Sequence, residues 1–173
     1  MQIRRIDPAD GTALAAFLER IPEADRTFLK EDVADPEVVA AWARPDDARS
    51  IALDGGAVVG YVAVIPLHGW SSHVGEVRIV VDPVHRGRGV GRALARHAVV
   101  EALGLGLEKM VVEVIADQEA LIAMFRAIGF EPEALLVDHV RDRSGALRDL
   151  LVLAHSVEGQ WASMAAAGIV DGL

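Results

Sequence analysis

The sequence predicts an α/β protein, in the order strand, helices, three strands, helix, strand, helix, two strands. Three observations carry that prediction. Short apolar runs with alternating polarity are bounded by Gly- and Pro-containing breaks, as strands are. Between them lie segments whose apolar residues return every three or four positions, as on one face of a helix. At Val80–Arg92 an apolar strand passes through a Pro-containing break into a glycine- and arginine-rich helix entry.

The elements follow in order. Gln2 to Ile6 reads as a short strand, and Asp10 to Arg20 as an amphipathic helix ending near Pro22. Glu23 to Val33 is polar, with Phe28, Leu29 and Val33 at helical spacing. Asp35-Pro36-Glu37 is a helix start, with Asp as N-cap and Pro in the first turn. That helix carries Val38, Val39 and Trp42 and stops before Pro45. Ser50–Leu53 and Ala57–Pro66 flank Asp54-Gly55-Gly56, a hairpin signal. In the strand His73–Asp82, alternation puts Val77, Ile79 and Val81 on one face and Glu76, Arg78 and Val80 on the other. Val90, Leu94, Ala98 and Ala102 mark the next helix. Met110–Ile115 is a strand of buried type, and Asp117–Ile128 a helix ending at Gly129, a natural C-cap. Glu133–Val140 and Ala146–Ala154 form a last strand pair around Arg143-Ser144-Gly145, and Glu158–Ala167 a terminal helix.

Length and composition narrow the function. A chain of 173 residues with 52% hydrophobic and 25% charged content suits one globular domain with a real core. The absence of cysteine excludes disulfides, thiolate metal sites and cysteine nucleophiles. Six histidines (His68, His73, His85, His97, His139, His155) show no metal-ligand spacing, so no metal is expected. A net charge of −9 disfavours nucleic acid as a partner. No apolar stretch approaches the ~20 residues of a membrane span. The basic start Met1–Pro8 lacks the apolar core of a signal peptide, so a cytoplasmic location is expected.

The segment Val80–Arg92 carries the strongest functional signal. A helix N-terminus has unsatisfied N–H groups and favours anions. Arg86, Arg88 and Arg92 in its approach and first turn oppose that dipole, which makes sense around a phosphate. Gly87, Gly89 and Gly91 let the backbone curl closely around such a group. A dinucleotide fingerprint fails, because Arg92 or Leu94 stands where the third glycine belongs, and no Gly-Lys-Ser/Thr of a P-loop occurs. What remains is Arg-x-x-Gly-x-Gly at Arg86, Gly89 and Gly91.

This pattern, with the preceding Val-Asp-Pro and the following Arg-Ala-Leu, resembles the acyl-CoA pyrophosphate loop of the GNAT N-acetyltransferase superfamily. A second stretch, Gln118–Phe130, resembles that family's helix after the fifth strand. There Gly129-Phe130 matches, while Gln118 stands for the usual Asn and Phe125 for a Tyr that commonly protonates the departing CoA sulfur. The resemblance implies a single GNAT domain over 1–173 with a mixed, mostly antiparallel sheet of about seven strands flanked by helices. It implies a helical insertion at about 21–44 that shapes the acceptor site, and direct transfer from acetyl-CoA to a primary amine. It further implies that Ile79, Val80 and Val81 hold the pantetheine arm, with a backbone N–H near Val80–Val81, where the fourth strand splays from the fifth, facing the oxyanion. Arg86, Gly87, Arg88, Gly89, Val90, Gly91 and Arg92 would hold the pyrophosphate, and Gln118 and Phe125 would complete the cofactor site. Loss of the Tyr need not abolish activity, since a thiol of pKa about 8.5 is a tolerable leaving group.

Two carboxylates are candidate bases for the attacking amine, Glu76 first and Glu113 second. Glu76 begins the fourth strand, where similar enzymes place a carboxylate; Glu113 lies on the fifth strand between apolar neighbours, where burial would raise its pKa. Asp138 and His139 are weaker candidates; Trp42 and Trp70 could line an acceptor pocket, with a buried core or rim place as the plainer reading. The expected partner is a small-molecule or peptide amine, with a homodimer possible through Trp161, Met164 and Ile169 near the terminus. The substitutions at Gln118 and Phe125 leave a second class open, an acyl-CoA-binding sensor or interaction module with weak or lost catalysis.

Overall fold

The computed structural model describes residues 1–26, 29–33, 35–42, 48–142 and 144–157. The expected terminal helix at 158–167, with Trp161, Met164 and Ile169, lies outside them, as do Phe28, Pro45 and Arg143. Seven strands form one sheet: β1 (Gln2–Arg5), β2 (Ala48–Asp54), β3 (Ala57–Pro66), β4 (Val74–Val81), β5 (Lys109–Ile115), β6 (Glu131–Arg141) and β7 (Leu147–Ser156). Their order is β1-β2-β3-β4-β5-β7-β6, antiparallel except where β4 meets β5. The mixed, mostly antiparallel sheet expected from the resemblance is thus observed.

Helices α1 (Gly11–Arg20), α2 (Glu23–Arg26) and α3 (Pro36–Ala41) follow β1, α4 (Val90–Gly104) links β4 to β5, and α5 (Glu119–Arg126) links β5 to β6. Each boundary has a local cause. Gly55 (φ 57°) and Gly56 (φ 84°) form the two-residue β2–β3 turn, with Asp54 opposite Ala57. Asp35 caps α3 by accepting a hydrogen bond from the Glu37 N–H at 2.8 Å. Val90, Leu94, Ala98 and Ala102 of α4 are all buried, as their spacing predicts.

Apolar side chains fill two cores, one on each face of the sheet. Val62, Val64, Val77, Met110, Val112 and Val114 pack beneath α4 and α5. On the other face Leu14, Phe17 and Leu18 of α1 and Val39 of α3 cover Ile51, Tyr61 and Val80. The alternation read in β4 holds, for Val77, Ile79 and Val81 join the first core and Val80 the second. Glu76, Arg78 and Glu113 therefore share the face of α1 to α3. No helix among the described residues is long and apolar enough to cross a membrane.

Candidate active site

The site begins with a defect in the sheet. Strands β4 and β5 pair only from Val74–Lys109 to Val77–Val112. Beyond that point β4 continues to Val81 against β3 alone, and β5 to Ile115 against β7 alone. Two inner strand edges that part in this way leave ladder N–H and C=O groups facing the gap between them. The gap opens into a cavity of about 1000 Å³ lined by Ile79, Val80 and Val81 on one wall and Val112 and Glu113 on the other.

At one mouth of this cavity stands the glycine loop. Gly87 (φ 72°) and Gly89 (φ 84°) occupy the left-handed region, where a side chain would strain the backbone. Gly89 is the N-cap of α4 and offers no side-chain cap, so the first-turn N–H groups stay available to a ligand. A Cβ on Gly91 would stand 3.2 Å from Met124 Sδ, so any larger residue would close the space between α4 and α5. Arg86, Gly87, Gly89, Gly91 and Arg92 line the cavity together with Gln118 and Phe125.

Two residues expected in the cofactor site are placed differently. Arg88, exposed between two left-handed glycines, is turned to solvent at the crest of the loop and does not line the cavity. Val90 is buried in the core against Gly60, where a Cβ would come within 3.1 Å of its Cγ1, so only its backbone can serve a ligand. Arg86 is already engaged: its Nη2 donates to Asp25 Oδ2 and its Nε to the Val81 carbonyl at 3.2 Å. Those bonds hold the guanidinium beside the end of β4.

The carboxylates occupy the other side of the gap. Lys30, absent from the sequence expectations, puts Nζ 2.8 Å from Glu76 Oε1 and 2.7 Å from Glu113 Oε2. Arg78 donates to Glu76 at 2.9 Å and to Glu31 at 3.2 Å, and Glu31 pairs with the buried Arg49 at 2.9 Å. Burial disfavours the charge on Glu76, yet hydrogen bonds from Arg78 and Lys30 outweigh it and hold its pKa below the ordinary 4.5. Glu113 is not the buried carboxylate its strand neighbours suggest, because its side chain is 31% exposed into the cavity. Asp138 and His139 are exposed on β6 and do not line the cavity.

Asp82 anchors the loop from behind. It is 2% exposed, accepts from Arg20 Nε at 2.7 Å and caps the following 3₁₀ turn through the Val84 N–H at 3.1 Å. Burial opposes its ionisation, but these donors prevail and its pKa falls below the ordinary 3.8. A carboxylate with a depressed folded pKa stabilises the fold above its unfolded pKa and loses that contribution as pH falls through the folded value. Urea midpoints are therefore expected to drop as pH is lowered below about 4, and Asp82→Asn to flatten that drop. An unchanged pH slope in the variant would count against this pair as the source.

Of the aromatics, Phe125 is buried, 5.1 Å edge-to-face from Phe130, and Trp42 stacks on Tyr61 at 4.4 Å in the second core. Trp70 is exposed in a 3₁₀ turn between β3 and β4.

Residues 15–130, more than half of the chain, match the acetyltransferase (GNAT) family. The chain belongs to this family and is an acetyltransferase. The N-alpha-acetyltransferase RimI of Mycobacterium tuberculosis is 32% identical over 126 residues, covering 70% of this chain and 77% of that protein. The streptothricin acetyltransferase of Streptomyces lavendulae is 32% identical over 143 residues, covering 72% and 74%. A GNAT phosphinothricin acetyltransferase from Sinorhizobium meliloti, solved in complex with acetyl-CoA, shares the fold with a TM-score of 0.78 at 23% identity, covering 90% of this chain and 87% of that one. The sensor reading left open by Gln118 and Phe125 draws no support from these relatives.

Proposed function

We propose that this chain moves an acetyl group from acetyl-CoA directly to a primary amine of a small molecule or peptide. The observation that carries the reading is the parting of β4 and β5 between a helix N-terminus and a pair of carboxylates. The open N–H groups of α4 fit a pyrophosphate, and the unpaired edge of β4 from Ile79 to Val81 fits the amide-bearing pantetheine arm. A backbone N–H at Val80–Val81 is the proposed donor to the oxyanion that forms as the amine adds to the thioester carbonyl. Glu113 takes the proton from the amine, and Glu76 holds the incoming ammonium. This order reverses the ranking drawn from sequence, because Glu76 is committed to Arg78 and is the weaker base. The segment around Asp25 and Lys30, which also lines the cavity, is the proposed acceptor-side wall.

The direct test is acetyl-CoA turnover by thiol release against a panel of amines, with calorimetric CoA binding on the same preparation. Amine-dependent turnover supports the reading, whereas binding without turnover by any amine favours the sensor. Arg86→Ala with Arg92→Ala is expected to weaken CoA binding about 10–100-fold, the loss of charge-assisted bonds to phosphate. Arg88→Ala alone is expected to change it far less. Equal losses in both variants would overturn the placement of the pyrophosphate.

A further inference from the structure

Among the 17 lysines and arginines of this chain only Lys30 and Lys109 are lysine. Arginine performs nearly every other cationic task here, in the ion pairs of Arg4, Arg5, Arg20, Arg49, Arg78 and Arg148. A guanidinium stays protonated under all ordinary conditions, whereas an ammonium can lose its proton and become a nucleophile. One of the two side-chain amines in the molecule thus lies in the acetyl-transfer cavity, with its nitrogen in hydrogen-bond reach of both candidate bases. Its backbone is also unusual: Lys30 has φ 58°, a left-handed conformation that lysine seldom adopts. Lys109 provides the contrast. It starts β5, pairs with Glu133 at 2.6 Å and lies outside that cavity.

We propose that Lys30 is itself an acetyl acceptor, modified in cis by acetyl-CoA bound in the same molecule. The inference rests on the acetyl-CoA reading above. Glu113 or Glu76 takes a proton from the Lys30 ammonium and passes it to water. The freed nitrogen lone pair attacks the thioester carbonyl carbon and a C–N bond forms; the C–S bond then breaks with its electron pair leaving on sulfur, and the second proton of the nitrogen passes to that thiolate. The products are acetyl-lysine, CoA and one proton. The resulting amide is neutral, so both ion pairs of Lys30 are lost; Glu76 keeps Arg78, and Glu113 loses its lysine partner.

The experiment incubates the full chain with acetyl-CoA and no added amine, at several protein concentrations, and follows each lysine by peptide mass spectrometry. Calorimetry on the same sample records acetyl-CoA binding. Lys30 is expected to be acetylated with a first-order rate independent of protein concentration, at least about 100-fold faster than Lys109, since a bound donor raises the effective concentration. Lys30→Arg should abolish the modification while acetyl-CoA still binds, and Lys109→Arg should leave it intact. Protein that binds acetyl-CoA but leaves Lys30 unmodified overturns the proposal and spares the acetyltransferase reading. Equal rates at the two lysines, or a rate proportional to protein concentration, also overturn it. Absence of acetyl-CoA binding overturns the cavity assignment itself, and this proposal with it.

Discussion

Glu113→Gln is expected to lower kcat by about 10²–10⁴-fold for whichever amine proves to be the acceptor, the usual contribution of a positioned base. Acetyl-CoA affinity should change little, because Glu113 lies across the gap from the glycine loop. The expectation follows from how the two carboxylates are occupied. Glu76 is 14% exposed and accepts from both Arg78 and Lys30, which stabilises its charged form and weakens it as a base. Glu113 is more open and pairs with the ammonium of Lys30. An acceptor amine that displaces Lys30 therefore meets a carboxylate with no arginine attached. Glu76→Gln should instead raise KM more than it lowers kcat, since it weakens the hold on a cationic acceptor. The kinetic constants separate the roles: the loss should fall on kcat in Glu113→Gln and on KM in Glu76→Gln. A larger fall of kcat in Glu76→Gln than in Glu113→Gln would restore the order read from sequence.

Local chemistry made most of the fold legible. The Gly55-Gly56 turn, the Asp35-Pro36 start and the buried spacing along α4 are decided by neighbours in the chain, and each stands where it was read. The glycine-rich turn into α4 was legible for the same reason, since Gly87 and Gly89 do adopt the left-handed conformations that glycine allows. The parting of β4 from β5 came only with the family resemblance and not from the residues themselves, because a strand's unpaired backbone groups leave no mark on its side chains. Lys30 and Asp25 were missed for a related reason. Both meet β4 and its loop only after α2 and the segment behind it fold across the sheet, and no spacing encodes that approach. Arg88 and Val90 show what a motif leaves open, namely which way each side chain is turned. A motif gives positions, but the helical turn between Gly89 and Gly91 decides that Val90 faces Gly60 in the core.

Phe125→Ala is expected to cost about 3–5 kcal/mol, the largest single loss of stability foreseen here, from the cavity left in a core that cannot collapse around it. Phe125 is 1% exposed and meets Phe130 edge-to-face at 5.1 Å; Phe130 stacks in turn on His155 at 4.9 Å, whose Nδ1 lies 2.9 Å from the Gly129 carbonyl. Truncation at this end of the chain of contacts loosens the join between α5, β6 and β7 as well as the ring's own packing. Yet Phe125 also lines the cavity between β4 and β5, and in the proposed reaction the thiolate departs into that space. Phe125→Tyr tests that placement. A hydroxyl that reaches the cavity is wet and satisfied, and stability should then fall by less than about 1 kcal/mol, since no buried polar group is left unpaired. The same hydroxyl would stand near the sulfur as a proton donor, and kcat should rise about tenfold or more if C–S cleavage limits turnover. A hydroxyl forced among packed side chains would instead destabilise the fold by about 1–3 kcal/mol and leave kcat unchanged. The first outcome makes this position part of the chemistry that phenylalanine forgoes; the second makes it packing alone.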